Sequence, residues 1–334
     1  MAKQEPARVL VTDAGGLVAF DLVQHIGSGM LGPDQPMIVH LLHRETDDVE
    51  DLDDLKFIMT RYRLIKGIVA TTDAEKACRN VEFAFLIGKV PSQTRTLRSH
   101  TYSFSDYKLQ ATALGNYAAA NCKVLVIAYP ADTIALTLKR CAPSIPPKNI
   151  TCLTRLYYNC ALGLISSTLD VPNRDVKNVI VWGNHSSPQH LDVNHATVKT
   201  SSGEYSVREL INNDAWLNGE FIAEFKKWVD ISNGTGTIIN ASPIAKAACD
   251  HFRDWVLGTP EGKWVSMGVF SDGSYNVPRD LIFSFPVTCR NGEWTIVQGL
   301  PLDEFSRKKI DSTVEELMKQ HLLNVASVEG YLHG

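Results

Sequence analysis

Arg8-Val9-Leu10-Val11 is a short apolar run that ends at Thr12-Asp13-Ala14-Gly15-Gly16, and an amphipathic stretch follows from Leu17 to about Ile26. Strand, glycine turn and helix in that order form the opening of a dinucleotide-binding unit, because glycines let the backbone turn tightly and approach a ligand. Met37-Ile38-Val39-His40-Leu41-Leu42 reads as a second strand, ending at His43-Arg44. Val81 to Ile87 and Lys123 to Ala128 read as two more, with helical runs between them. Such alternation predicts a parallel sheet with right-handed crossovers.

After about Ile150 the pattern changes. Asp214 to Trp228 and Ala245 to Trp255 predict helices, and Lys263 to Ser271 and Phe283 to Cys289 predict strands. Asn291-Gly292 is a turn before Trp294-Thr295-Ile296-Val297, and a last helix is expected from about Phe305 to Leu323. No internal repeat or low-complexity linker separates the halves. The expected fold class is therefore α/β: a Rossmann-type doubly wound parallel sheet over residues 1–152, plus an α+β substrate domain over residues 153–334.

The chain of 334 residues is 44% hydrophobic and 21% charged, an ordinary balance for a soluble globular protein. A net charge of −4 without a Lys/Arg cluster argues against nucleic acid as a partner. The seven cysteines are odd in number and never spaced as CxxC, which favours a reducing compartment. Met1 to Arg8 has no apolar core for a signal peptide, and no run approaches the ~18 apolar residues of a membrane span. The expected location is cytoplasmic, with no membrane partner.

Val179-Ile180-Val181-Trp182 reads as a buried strand that stops at Gly183-Asn184, with His185 just past its end. In open α/β sheets ligands bind at such strand ends. A histidine there can exchange protons near neutral pH, provided that a neighbour orients its ring. The plainer reading is a residue inherited with the fold. His185, His190 and His195 recur every five residues, a spacing that suits neither one helix face nor one side of a strand, so no metal site is expected.

Asp175 to Ser187, His251 to Arg253, Gly258-Thr259-Pro260-Glu261-Gly262, Val265 to Gly273, and Gly299-Leu300-Pro301 with Phe305-Ser306-Arg307 resemble the cytosolic-type malate dehydrogenases of the lactate/malate dehydrogenase superfamily. The likeness covers nearly the whole chain. It implies NAD on the Rossmann half, a His/Asp pair that moves the proton, and arginines that hold the substrate's carboxylates. By this resemblance His185 matches the catalytic histidine and Arg98 a substrate arginine. The carboxylate partner falls on Tyr157, and two further substrate arginines fall on Ser92 and Cys160. An asparagine that touches substrate and nicotinamide falls on Tyr129, and a serine near the nicotinamide on Pro243. The first glycine of the phosphate turn falls on Asp13 and the ribose-binding acid on His43, while Gly15 and Gly16 remain.

Without a carboxylate nothing obvious stabilises the His185 imidazolium, and loss of an orienting Asp costs about 10⁴ in turnover in a comparable triad. Each charge-assisted hydrogen bond lost with a guanidinium is worth roughly 1.5–3 kcal/mol, so malate and oxaloacetate are expected to bind poorly. Asp13 would repel a pyrophosphate, though it suits the helix dipole when no phosphate comes. Gly15 and Gly16 are also explained by closure of strand against helix. His43-Arg44 permits another reading, acceptance of the 2′-phosphate of NADP.

Glu45 to Asp54 carries Glu45, Asp47, Asp48, Glu50, Asp51, Asp53 and Asp54, where the family leads into an apolar interface helix. This is a solvated face, or else a weakened homodimer or a surface for a basic protein partner. Ser232-Asn233-Gly234-Thr235-Gly236-Thr237 disfavours the continuous helix the family has beside its active site.

The first expectation is a malate dehydrogenase-like pseudoenzyme, a scaffold with a structural or interaction role, a vestigial His185/Arg98 site and no bound cofactor. The second is an NAD(P)-dependent oxidoreductase acting on a 2-hydroxy/2-oxo acid such as malate/oxaloacetate, using His185 and Arg98 with NAD or NADP. A third is a sensor that binds a nucleotide without reacting.

Overall fold

A computed structural model of the chain describes residues 5–44, 49–88, 104–128, 130–183, 189–232 and 241–333. Its first half alternates strands and helices: β1 (Ala7–Thr12), α1 (Leu17–Gly27), β2 (Met37–Leu42), α2 (Val49–Met59), β3 (Ile65–Thr71), α3 (Ala74–Cys78), β4 (Phe83–Ile87), α4 (Phe104–Tyr117), β5 (Lys123–Ile127), α5 (Ala131–Cys141) and β6 (Ile150–Cys152). These six strands are parallel in the order β3-β2-β1-β4-β5-β6. The order reverses between β1 and β4, which opens a crevice at their carboxyl ends.

The inner strands β1, β4 and β5 are buried on both faces because their alternate residues feed two different cores. Val9, Val11, Phe85, Ile87, Leu125 and Ile127 join α1, α2 and the later helices, whereas Leu10, Ala84, Leu86, Val124 and Val126 pack with α3, α4 and α5. A sheet covered by helices on both sides is the doubly wound arrangement.

The second half contains α6 (Arg155–Leu169), β7 (Val176–Lys177), β8 (Ile180–Trp182), β9 (His190–Asp192), β10 (Thr197–Thr200), β11 (Gly203–Ser206), α7 (Val207–Ile211), α8 (Asp214–Asn218), α9 (Glu220–Ser232), α10 (Ala241–Leu257), β12 (Val265–Phe270), β13 (Ile282–Arg290), β14 (Glu293–Ile296) and α11 (Glu304–His333). Antiparallel β12, β13 and β14 extend the parallel sheet through one pairing, Gly268 with Cys152, to nine strands. A Cβ on Gly268 would lie 2.9 Å from Cys152 O, so glycine permits that close approach.

Two expectations need correction. Of the expected run Val179–Trp182, Ile180–Trp182 forms β8, but β8 lies in an antiparallel hairpin with β9 and not in the open parallel sheet. The strand-end rule for open sheets therefore does not apply to β8, and His185 itself lies outside the described residues. Asp214 to Trp228 is two helices, because Gly219 (φ −116°, ψ −93°) ends α8. The acidic stretch enters α2, which buries Leu52, Leu55 and Met59 and leaves Asp53 and Asp54 outside, with Asp53 2.8 Å from Lys56 Nζ. Residues 45–48 lie outside the described residues, as does 233–240 after α9.

Candidate active site and cofactor crevice

The crevice begins at the β1–α1 turn. Thr12 Oγ1 donates to Ile87 O at 3.1 Å and accepts from Ile87 N at 2.9 Å, tying the ends of β1 and β4 together beside the reversal. Gly16 N donates to Asp13 O at 2.8 Å and closes the turn. Gly15 is exposed, and Gly16 is the N-cap of α1, with no side chain of its own to cover the first amides. Ala14 N donates to Leu42 O at 3.2 Å, which sets the end of β2 alongside.

Asp13 keeps the glycine-like conformation of its position, with φ at 52°. Its carboxylate folds over the turn: a Cβ built on Gly16 would be 2.7 Å from Asp13 Oδ2. His43 and Arg44 follow β2, half-buried, at the ribose end of such a crevice. His43 N donates to Thr71 O at 3.2 Å, and its ring Nδ1 is 3.1 Å from Arg44 O. The strand–turn–helix, its exposed glycine and the α1 amides fit a dinucleotide's pyrophosphate. Asp13 puts a negative charge in that turn and opposes it.

The second part of the site lies where α6 meets β8. Thr154, the N-cap of α6, accepts a hydrogen bond from Ser284 Oγ at 3.0 Å, and Ser284 N donates to Gly183 O at the end of β8. Val181 N donates to Ser266 Oγ at 3.0 Å, which fixes β8 on β12. The first turn of α6 and the chain entering residues 184–188 are thus held by one serine. Tyr157 lies in that turn and is fully buried.

Cys160, one turn further, is half-buried on the wall of a groove of about 1040 Å³ between α6, α9 and α10, which Pro243 and Trp228 also line. A charged network lines the same groove. Arg155 Nη1 donates to Asp254 Oδ2 at 2.6 Å and Arg155 Nε to Asn159 Oδ1 at 2.9 Å. Asp250 accepts from Lys246, Arg253 and Asn159. These hydrogen bonds and cations hold the Asp250 carboxyl below its ordinary range, against a desolvation that pushes the other way.

The structure thus places Asp13, Gly15 and Gly16 in the turn after β1 and His43 and Arg44 directly after the neighbouring β2, and Tyr157, Cys160 and Pro243 in the region of α6. His185, Arg98, Ser92 and Tyr129 lie outside the described residues.

Residues 154–327 match the lactate/malate dehydrogenase, alpha/beta C-terminal domain family. The malate dehydrogenase of Nicotiana tabacum is 56% identical over 328 residues, 97% of this chain and 98% of that protein. The cytoplasmic malate dehydrogenase of Medicago sativa is 56% identical over 325 residues, 96% of this chain and 97% of that one. The chain belongs to the lactate/malate dehydrogenase family.

Solved members share the architecture. The malate dehydrogenase of Naegleria fowleri superposes with a TM-score of 0.85 at 31% identity, over 97% of this chain and 99% of that one. The Trichomonas vaginalis lactate dehydrogenase, solved with NADH and oxamate, gives 0.85 at 28% identity, over 96% and 99%.

Within this dehydrogenase frame, His251 carried part of the resemblance, but nothing in the sequence signalled its burial or its pairing. Its Nε2 is 3.0 Å from Thr151 Oγ1, and its Nδ1 has no hydrogen-bond partner among the described residues. Burial, and then the charge of Arg155, push its pKa down to about 3. The Ser284 tie was also missed, and isolated serines in apolar strands were its only signal.

Proposed function

We propose that this family member is an NAD(P)-dependent oxidoreductase of 2-hydroxy and 2-oxo acids, working slowly on malate and oxaloacetate. The observation that carries the reading is 56% identity sustained over 97% of the chain with a malate dehydrogenase. The expectation that the chain takes no cofactor is set aside, because a relative of the same fold is solved with NADH.

A nicotinamide dinucleotide bound here would supply the hydride. Gly15, Gly16 and the α1 amides would face its pyrophosphate, and His43 and Arg44 its adenosine ribose. His185 is assigned the proton. Tyr157 in the first turn of α6 can accept one hydrogen bond from an imidazole, but a phenol offers no negative charge to an imidazolium. Cys160 in place of a guanidinium removes a bidentate carboxylate contact, so a substrate with fewer negative charges than malate suits the groove better. The division at residue 152 and a cytoplasmic setting, as in the relatives so named, belong to the same proposal.

A second reading has its own observation. Tyr157, fully buried at the position that the resemblance gives to a carboxylate, and Asp13, folded over the phosphate turn, favour a member that has lost catalysis and serves as a scaffold for a protein partner. The experiment that separates the two is oxidation of NADH and NADPH by purified protein with oxaloacetate and a panel of 2-oxo acids, beside a His185→Phe variant. Turnover about 10⁴ below that of a carboxylate-oriented histidine, and absent from the variant, is expected. Equal background for both proteins with every acid would leave only the second reading.

A further inference from the structure

The phosphate turn contains an anion of its own. Asp13 sits between β1 and α1, in the left-handed region at φ 52°, with its backbone oxygen closing the turn onto Gly16 N at 2.8 Å. That conformation aims the carboxylate back across the turn, where Oδ2 stands 2.7 Å from the position of a Gly16 Cβ. The space above Gly16 is where a pyrophosphate must come to reach the first amides of an 11-residue helix. An L-residue other than Asn or Asp rarely holds this φ, and Asp does so while placing a negative charge where a glycine would leave room.

We infer that Asp13 is a built-in competitor of the cofactor's pyrophosphate and sets this chain's affinity for dinucleotides. The inference rests on the proposed dinucleotide site and deepens it. Two effects act together. The carboxylate fills part of the approach to Gly16, and its charge repels a phosphate at short range, an interaction that the half-buried turn screens less than open water does. The α1 dipole, which would otherwise attract the ligand's anion, already faces one of the protein's own.

The test uses the full chain and three proteins: wild type, Asp13→Gly and Asp13→Asn. Both replacements accept a positive φ, so neither disturbs the turn, and Asn removes the charge while keeping the side chain's shape. Equilibrium binding of NADH and of ADP-ribose is measured by calorimetry, and thermal unfolding confirms that all three are folded. ADP-ribose carries the pyrophosphate without the nicotinamide, so the readout does not depend on turnover.

Asp13→Asn is expected to tighten both ligands about tenfold, roughly 1.4 kcal/mol, and Asp13→Gly at least as much. Wild type binding as tightly as both variants would overturn the inference and leave the oxidoreductase reading intact. Variants that bind tightly but reduce no 2-oxo acid would uphold the inference while sinking that reading. Binding by none of the three would overturn the inference as well, since removing the carboxylate would then have opened nothing.

Discussion

Ser284 Oγ donates to Thr154 Oγ1 at 3.0 Å while the Ser284 backbone N–H binds Gly183 O, so one residue of β13 joins the N-cap of α6 to the end of β8. Both hydroxyl residues are fully buried, at 0% exposure. A buried hydroxyl pair of this kind is worth keeping only when both members are satisfied.

Ser284→Ala should therefore cost about 1 kcal/mol, the worth of one buried hydrogen bond. In a chain of this size that lowers Tm by about 2 °C. The alanine leaves the backbone bond to Gly183 in place, so the fold survives. Unfolding in urea measures the loss, and an unchanged midpoint would mean that the pair contributes nothing.

Asp254 pairs with Arg155 at 2.6 Å, with side-chain exposures of only 8% for Arg155 and 13% for Asp254. Asp254→Ala would leave the guanidinium buried beside Asn159 with its strongest partner gone. Breaking such a pair from one side costs about 3–5 kcal/mol, whereas replacing both ends by apolar residues costs far less. Asp254→Ala should therefore be much less stable than the Arg155→Met, Asp254→Leu double variant in guanidinium titrations. The reverse order would show the pair to be solvated and weak.

The chemistry offers a repair experiment. Cys160→Arg returns a guanidinium to the groove wall, where a charge-assisted carboxylate contact is worth roughly 1.5–3 kcal/mol, about 10- to 150-fold in KM for oxaloacetate. Tyr157→Asp returns the carboxylate and acts on kcat, by a factor of up to about 10⁴. Steady-state kinetics of the two single variants and the double variant separate the effects. A double variant no faster than wild type would place the fault elsewhere in the site.

Much of this was legible in the order of residues. β2 falls on the run Met37 to Leu42, and β1, α1 and β5 fall within a residue or two of theirs, because strands buried on both faces are written as continuous apolar runs. β3 escaped notice: Ile65 to Thr71 is an edge strand with half-buried residues, interrupted by Lys66 and Gly67. The β8–β9 hairpin was hidden by the length of chain between its arms. The altered positions Tyr157, Cys160 and Asp13 were visible only through the family resemblance. Ser284 and Thr154, 130 residues apart, could not be paired before the strands were placed.

His251 supplies the last expectation. It is fully buried, its Nδ1 has no hydrogen-bond partner among the described residues, and desolvation, with Arg155 adding to it, brings its pKa from 6.5 to about 3. The folded chain thus holds this ring neutral, whereas the unfolded chain binds a proton once the pH falls below 6.5. Stability from this residue is complete above pH 6.5 and drains away as the pH falls toward 3, at up to roughly 1.4 kcal/mol per pH unit. His40 and His190, also lowered by burial, act in the same direction. The depressed carboxyls of Asp250, Asp272 and Asp303 lose their contribution only below the ordinary carboxylate pKa, so the upper part of the window belongs to the histidines. His251→Gln, which keeps a hydrogen-bonding group toward Thr151 but cannot be charged, should flatten the fall in unfolding free energy between about pH 6.5 and 4.5. Parallel curves for variant and wild type across that range would show that His251 stays neutral in both states, or charged in both.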